Sequence, residues 1–141
     1  MIPFLAEKKD ITVITNSVHI CLELGEMDIQ VICLGGEISE RPHVLNGELT
    51  IENAMRFHVD KMFFSTNAIT KEGLINHSLL YKTMMKNSKE TYLLTDKTKL
   101  VDSLKQSLCD FSALTGVISD VDFPEETRKA YPNVDFIYAA Q

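Results

Sequence analysis

The chain has 141 residues, 45% of them hydrophobic, and its 20 acidic and 14 basic residues give a net charge of −6. This length predicts one domain, since a domain holds ~100–150 residues, and it allows a core without disulfide or metal staples. The acidic balance disfavours binding to DNA or to an anionic membrane surface. We find no apolar run of transmembrane length and no signal peptide in Met1–Glu7, so we expect a cytoplasmic protein without a membrane partner.

Cysteines and histidines indicate neither a disulfide framework nor a metal site. The three cysteines, Cys21, Cys33 and Cys109, are widely spaced, as expected in a reducing cytoplasm. Cys21 and Cys33 lie in apolar segments and are interpreted as packing residues. The four histidines are also far apart in the sequence. We therefore predict no metal and no cofactor.

Apolar, β-branched segments alternate with amphipathic segments along the chain, with no repeat or linker. This pattern predicts one domain over residues 1–141. The predicted strands are Ile11–Thr15, Ile29–Leu34, Val59–Ser65, Thr91–Thr95, Thr115–Ser119 and Val134–Ala139. The predicted helices run from Asn16 or Ser17 to Gly25, over Glu48–Phe57, over Ser78–Ser88, over Val101–Leu108, and onward from Pro124 at position N1. Apolar spacing predicts that Met62–Phe64 belong to the core and that the helix over Ser78–Ser88 turns four residues inward: Leu79, Leu80, Tyr81 and Met84.

Strands that are apolar on both faces, separated by helices, are typical of a parallel sheet covered on both sides. Crossovers between parallel strands are right-handed, so the predicted fold is a doubly wound, Rossmann-like α/β fold with a mostly parallel sheet. Such sheets bind ligands at the carboxyl ends of their strands. The polar residues that follow the predicted strands are therefore the candidate site.

Two of these strand ends combine small or polar residues with a helix start or a turn. Thr15, Asn16 and Ser17 offer hydroxyls, an amide and backbone N–H groups at a helix N-terminus, which suits a phosphate. An ordinary N-cap explains the same residues. Gly35 and Gly36 allow either a close approach of the backbone to a ligand or a simple turn.

The other two strand ends carry a lysine and an amide. Lys99 can reach a phosphate or sugar oxygen as a point charge, and Asp96 can orient Lys99 or bind a ligand hydroxyl. A solvated charge run explains the same residues. Asn67 follows the most apolar strand, where a sugar-phosphate isomerase needs a carboxylate for proton transfer. An amide can bind but cannot act as a base. We expect the four strand ends to converge on one pocket.

Five segments in order resemble the effector-binding domain of DeoR-family transcriptional regulators. They are Ile11–Ser17, Val31–Glu37, Asn46–Glu48, Asp60–Ser65 and Tyr92–Lys99. The resemblance implies a fold shared with ribose-5-phosphate isomerases and CoA transferases, and a sugar-phosphate sensor within a homo-oligomeric repressor of sugar metabolism. The stretch from Lys61 to Ala68 looks most like the lactose phosphotransferase repressor branch of the family, which implies tagatose-6-phosphate as the effector.

The resemblance also implies binding roles for particular residues. The family's Thr-Asn-Ser phosphate loop falls on Thr15–Ser17, and its glycine pair, which flanks the sugar, falls on Gly35–Gly36. Its Asp-x-x-Lys pattern falls on Asp96 and Lys99. Lys82 stands where the family often has a basic residue on the helix that faces the pocket.

The chain departs from the family pattern in three respects. It lacks the N-terminal helix-turn-helix through which the family contacts DNA, so the usual recognition-helix geometry is not available to it. It also lacks the family's first strand with its phosphate loop, and Met1–Glu7 resembles the end of the helix after that loop. Ala68 stands near a family glycine and Leu80 near a family glutamate. We therefore expect a fragment of a longer regulator.

Two other functions remain open at this point. One is an enzyme of the same fold, either an isomerase or a CoA transferase, of which the latter needs a glutamate nucleophile such as Glu72. The other is an oligomerisation module that binds no ligand. Because no positioned acid–base pair is evident at the strand ends, we expect no catalysis.

Overall fold

The structure, a computed structural model, describes residues 2–5, 7–40, 43–70, 73–75, 78–101 and 109–139. The helices are α1 (Ile2–Leu5), α2 (Val18–Gly25), α3 (Glu48–Ala54), α4 (Leu79–Lys86) and α5 (Glu125–Ala130). The strands are β1 (Thr12–Thr15), β2 (Gln30–Cys33), β3 (Glu37–Ile38), β4 (Leu45–Asn46), β5 (Val59–Phe64), β6 (Ala68–Thr70), β7 (Gly73–Ile75), β8 (Ser88–Thr95), β9 (Gly116–Ser119) and β10 (Asp135–Tyr138). The backbone divides into two compact units, Met1–Phe57 and His58–Gln141. The single domain stays a prediction.

The first unit is built on a parallel pair of strands. β1 and β2 pair from Thr12 opposite Gln30 to Thr15 opposite Cys33. The crossover α2 packs on both strands, as a parallel pair requires. Its N-cap is Ser17, one of the two residues predicted. The strands β3 and β4, which the sequence pattern did not predict, form an antiparallel hairpin.

Burial in the first unit differs from the apolar pattern of the sequence at two places. In α3, Leu49 is 55% exposed, and Met55, directly after the helix, is 60% exposed, whereas Thr50 and Ala54 are buried. Thr50 and Ala54 lie one turn apart on one helix face, and their small side chains let α3 lie close to the neighbouring backbone. Cys33, interpreted as a packing residue, is exposed at the end of β2.

Four of the six predicted strands form a parallel sheet in the second unit, whereas the other two are the separate pair β1 and β2. The strands of the sheet stand in the order β10-β9-β8-β5, and each adjacent pair is parallel. Alternation along β5 places Met62 and Phe64 in the core. Phe63, predicted to be core as well, is 43% exposed and stacks on Tyr92 with ring centroids 5.4 Å apart.

The core of this unit centres on Phe111, which is fully buried. Its ring meets three other aromatic rings edge-to-face at centroid distances of 5.4–6.0 Å: Phe123, Tyr131 and Phe136. Such pairs stabilise beyond the area that they bury, by ~0.5–1.5 kcal/mol each. The core therefore packs the residues on both sides of α5 against Phe111 and against Phe136 of β10.

Several predicted boundaries shift in the second unit. β8 begins at Ser88 and not at Thr91, because its first residues pair with β5 from Val59 onward. Pro124 is the N-cap of α5 and not its first residue. The hairpin of β6 and β7 was not predicted. Of the helix predicted over Val101–Leu108, residues 102–108 lie outside the described residues.

The face of α4 was predicted in part. Leu80 is buried, and Tyr81 and Met84 pack on the core, as predicted. Leu79 was predicted to point inward and is 58% exposed. Tyr81 meets Phe64 edge-to-face at 5.6 Å, which seats the helix against β5. None of the helices described is long and apolar enough to cross a membrane.

Candidate functional site

The loop after β1 holds two hydroxyl groups at the N-terminus of α2. Thr15 Oγ1 accepts a hydrogen bond from the Ser17 N–H at 3.1 Å. Ser17 Oγ in turn accepts one from the Ile20 N–H at 3.3 Å, as an N-cap does. Each hydroxyl thus accepts a backbone hydrogen bond and keeps its own hydrogen for another acceptor. The positive end of the helix dipole favours an anion at this place.

The segment His43–Leu45 pairs with the same loop. The Asn16 side-chain amide donates to the Leu45 carbonyl at 3.0 Å, and the Leu45 N–H donates to the Asn16 carbonyl at 2.7 Å. The Val18 N–H donates to the His43 carbonyl at 3.2 Å. Asn16 therefore holds this segment in place, and the first helical N–H already has a partner. The role of Asn16 in ligand binding stays a prediction.

The glycine pair lies beside this loop, because the N–H of Leu34 donates to the Thr15 carbonyl at 2.9 Å. Gly36 has a φ of +139°, and a Cβ there would lie 1.9 Å from Thr50 Oγ1. It would also lie 2.6 Å from the Asn46 carbonyl oxygen. The close approach that Gly36 permits is thus to the protein's own α3. Whether Gly35 and Gly36 also contact a ligand stays a prediction.

Sequence reasoning missed Thr50, the partner of this glycine pair. Thr50 is fully buried, and its hydroxyl lies 2.7 Å from the Gly35 carbonyl oxygen and 2.8 Å from that of Asn46. One threonine therefore ties the end of β2 to the start of α3. The one feature of the sequence that could have indicated this role is the position of Thr50 in the first turn of the predicted helix, three residues after Gly47.

At the carboxyl end of β8, Asp96 caps a short 3₁₀ turn over Lys97–Lys99. Its carboxylate accepts the Thr98 N–H at 2.7 Å and the Thr98 hydroxyl. These hydrogen bonds, the hydroxyl's foremost, lower the pKa of Asp96, and the nearby charges of Lys99 and Lys97 lower it further. Asp96 is thus an ionised carboxylate that shapes the turn carrying Lys99, which is half-buried.

Thr95, the last residue of β8, is a second residue that sequence reasoning missed. Its hydroxyl is buried and has no hydrogen-bond partner among the residues that the structure describes. Buried polar groups are nearly always hydrogen-bonded in folded proteins, so this hydroxyl marks a place for a ligand or a bound water. The only signal in the sequence was a threonine directly before Asp96.

Asn67 is exposed in the loop between β5 and β6. Two residues later, Ile69 forms a parallel bridge with Leu100, and its carbonyl accepts the N–H of Val101 at 2.9 Å. The structure therefore brings the segments of Asn67 and Lys99 to the same edge of the four-stranded sheet. Asp96 lies at this edge as well, at the end of the neighbouring strand.

Lys82 is exposed on α4 and lies near Cys109. Burial raises the pKa of the Cys109 thiol to about 11, with Asp110 adding to the rise and Lys82 opposing it. Nothing in these contacts ties Lys82 to the strand ends, so its binding role stays a prediction.

Apart from Lys82, the predicted site residues thus fall into two groups, one in each unit. The loop group is Thr15–Ser17 with Gly35–Gly36, and the edge group is Asn67, Asp96 and Lys99, to which Thr95 is added. Convergence on one pocket stays a prediction. Within the part of the chain that the structure describes, no three His, Cys, Asp or Glu residues gather as metal ligands. Glu72, the candidate nucleophile, lies outside the described residues.

Comparison with known proteins finds one family and several named relatives. The family model of the DeoR C terminal sensor domain matches residues 1–121. The lactose phosphotransferase system repressor of Staphylococcus aureus (strain NCTC 8325 / PS 47) is 32% identical over 133 residues, which is 88% of this chain and 53% of that protein. The Staphylococcus epidermidis repressor of the same name (strain ATCC 12228 / FDA PCI 1200) is 29% identical over 135 residues, or 90% and 53%.

A relative that is named as an activator is the L-fucose operon activator of Haemophilus influenzae (strain ATCC 51907 / DSM 11121 / KW20 / Rd). It is 31% identical over 125 residues, which is 84% of this chain and 50% of that protein. The chain thus spans about half the length of the curated relatives it matches.

Proposed function

We propose that this chain, which belongs to the DeoR C-terminal sensor domain family, senses a phosphorylated sugar for a regulator of sugar metabolism. The names of the relatives, a lactose phosphotransferase system repressor and an L-fucose operon activator, support a role in carbohydrate gene control. The resemblance of Lys61–Ala68 to the lactose branch makes tagatose-6-phosphate the first effector to test.

The observation that carries the proposal is the hydroxyl of Thr95 at the carboxyl end of β8, which is buried and has no hydrogen-bond partner within the described part of the chain. It stands directly before Asp96 and four residues before Lys99, at the sheet edge where α/β folds bind ligands. An effector hydroxyl or phosphate oxygen would satisfy Thr95. The half-buried Lys99 supplies a charge for the phosphate, and Asn67 supplies an amide for the sugar hydroxyls.

The loop group is proposed as a second set of effector contacts. The hydroxyls of Thr15 and Ser17 keep a hydrogen to donate, and they stand at the N-terminus of α2, where the helix dipole favours an anion. Because the side chain of Asn16 is engaged with Leu45, the two hydroxyls carry more of the proposed binding than the amide does.

We propose that the chain is not an enzyme. The residue at the strand end where an isomerase needs a base is Asn67, whose amide cannot take up a proton at neutral pH. The net charge of −6 disfavours DNA binding by the chain itself. DNA contact by the whole regulator is therefore assigned to a helix-turn-helix, and the regulator is proposed to act as a homo-oligomer.

The proposal is tested by calorimetric titration of the chain with tagatose-6-phosphate and with tagatose. Lys99→Ala should weaken binding of the phosphorylated sugar ~10–100-fold, since a hydrogen bond to a charged group is worth ~1.5–3 kcal/mol. Lys97→Ala is the matched control, because Lys97 lies in the same turn but is exposed, and it should change binding less than threefold. Equal binding by wild type and Lys99→Ala would place the site elsewhere.

A substitution at Ser17 separates binding from folding in the loop group. Asp is as good an N-cap as Ser, so Ser17→Asp should leave the stability of α2 unchanged. Its negative charge should nonetheless repel a phosphate and weaken effector binding at least tenfold. A Ser17→Asp protein that binds the phosphorylated sugar as well as wild type would remove this loop from the site.

A further inference from the structure

The strands β8 and β9 end side by side on two hydroxyl residues. Thr95, the last residue of β8, stands in register with Ser119, the last residue of β9. The pair two positions earlier is Leu93 and Val117, and both are fully buried in the core. Side chains two residues apart on a strand point to the same face, and neighbouring strands lie about 4.7–4.9 Å apart. The side chains of Thr95 and Ser119 are therefore neighbours on the core face of the sheet, at its carboxyl edge.

Both hydroxyls have hydrogen-bonding capacity that the protein does not use. Ser119 is only 2% exposed, and its Oγ accepts the Val121 N–H at 3.0 Å, which leaves the hydroxyl hydrogen to donate. No described residue accepts that hydrogen. The Thr95 hydroxyl is also buried and has no partner within the described ranges, so the two hydroxyls do not bond to each other. Buried polar groups rarely stay without a partner, so this place suits a further polar group.

We propose that Ser119 and Thr95 together bind one hydroxyl group of the effector's sugar and thereby help to determine which sugar the chain accepts. The inference rests on the proposed function and names a specificity-determining contact of the same site. A sugar hydroxyl donates and accepts at once, so its oxygen can accept from Ser119 while its hydrogen is donated to Thr95.

The burial of the two hydroxyls favours the sugar over the phosphate as their ligand. Burying a charged group costs far more than burying a hydroxyl that finds hydrogen-bond partners. The phosphate is therefore assigned to Lys99, which is half-buried and carries a charge, and the hydroxyl pair is assigned to an uncharged part of the effector.

Such a contact discriminates between sugars. A sugar that lacks the hydroxyl leaves two buried protein groups without a partner, which costs more than the bond itself contributes. Sites built to hydrogen-bond a substrate hydroxyl therefore reject the analogue that lacks it more strongly than an apolar pocket rejects an added group. We expect one monodeoxy analogue of the effector to lose its affinity because of Ser119 and Thr95.

The test is a double cycle between protein and ligand hydroxyls, measured by calorimetric titration. The parent ligand is the hexose or pentose phosphate that raises the Tm most, and its monodeoxy analogues are the probes. Ser119→Ala should weaken binding of the parent ~5–100-fold. For one analogue, the same substitution should change the Kd less than ~twofold, because the bond is already absent. Thr95→Val should single out the same analogue.

Thr115→Val is the matched control for damage to the fold. The Thr115 hydroxyl accepts the Thr91 N–H at 3.0 Å, much as that of Ser119 accepts the Val121 N–H. Thr115 stands directly before the first residue of β9, at the other end of the strand from Ser119. Thr115→Val should therefore lose stability and keep the Kd of the parent within ~twofold of wild type. An equal loss of affinity in Thr115→Val and Ser119→Ala would overturn the proposal.

Other outcomes also decide against the contact. Ser119→Ala that binds the parent as well as wild type would overturn it, as would a loss by the same factor for the parent and every analogue. A wild-type chain that binds no sugar phosphate would contradict the proposed function itself, and this contact with it. If Ser119→Ala does not fold, as judged by circular dichroism, Thr95→Val decides the question, since that substitution breaks no described side-chain hydrogen bond.

Discussion

Replacing Gly36 by alanine should strongly destabilise the protein. The added Cβ would lie 1.9 Å from Thr50 Oγ1 and 2.6 Å from the Asn46 carbonyl oxygen, far inside van der Waals contact. The φ of +139° also belongs to a region that side chains other than glycine rarely adopt. The substitution therefore strains the backbone and displaces the hydroxyl that joins β2 to α3.

The magnitude follows from these two effects. Holding a non-glycine residue in such a conformation costs ~1–3 kcal/mol. Moving the fully buried Thr50 away from the carbonyl oxygens of Gly35 and Asn46 adds ~1–3 kcal/mol, the cost of leaving a buried hydrogen-bonding group without its partner. We therefore expect a loss of ~2–6 kcal/mol, a large share of the ~5–15 kcal/mol that holds a typical domain folded.

Urea titration followed by circular dichroism measures this loss. Gly25→Ala is the control, because Gly25 lies in the last turn of α2 and a Cβ there meets nothing within 4 Å. That change should stabilise the protein by ~0.4–1 kcal/mol through the unfolded chain. The reasoning is refuted if Gly36→Ala and Gly25→Ala unfold at the same urea concentration.

Three further changes test the second unit. Leu80→Ala should lower the free energy of unfolding by ~2–5 kcal/mol in a urea titration, because Leu80 is buried. Its neighbour Leu79 is 58% exposed, so Leu79→Ala should stay within ~0.5 kcal/mol of wild type. Equal losses in the two variants would mean that α4 turns another face to the core. Thr95→Val should keep or raise the free energy of unfolding, because it removes a buried hydroxyl without a described partner. The same change should weaken effector binding. A clear loss of stability would show that the hydroxyl has a partner within the protein. The lowered pKa of Asp96 stabilises the fold above the ordinary carboxyl pKa, and this stabilisation disappears as the pH falls through the lowered value. Stability of wild type should therefore fall more steeply below about pH 4 than that of Asp96→Asn, and parallel pH profiles would contradict the hydrogen bonds from Thr98.

Sequence patterns predicted the fold where the signal was local. The N-cap at Ser17 and the apolar strand around Met62 and Phe64 follow from side-chain chemistry and from alternation within a few residues. The inward face of α3 could not be predicted in this way. Thr50 is buried because its hydroxyl binds the Gly35 carbonyl, fifteen residues away in the chain, and apolar spacing within the helix gives no sign of such a contact.

From the sequence, the candidate site could be predicted only as a set of polar residues at the carboxyl ends of strands. Thr15, Ser17, Asp96 and Lys99 do lie at the carboxyl ends of parallel strands. The segment His43–Leu45 lies on the first of these loops through contacts with residues almost thirty positions away, and no local pattern indicates such pairing. For the same reason, nothing in the sequence distinguished Thr95, whose buried hydroxyl lacks a partner among the residues described, from an ordinary strand threonine.

The central claim is that the chain senses a phosphorylated sugar, and thermal unfolding with and without ligand tests it most directly. At a hundred times its Kd, a bound effector adds ~2.7 kcal/mol to the free energy of unfolding, which raises the Tm by ~5–10 °C for a chain of this size. We predict this rise with tagatose-6-phosphate or another hexose or pentose phosphate, and no comparable rise with the unphosphorylated sugar or with inorganic phosphate. A Tm that no sugar phosphate raises above the value with its unphosphorylated counterpart would contradict the account.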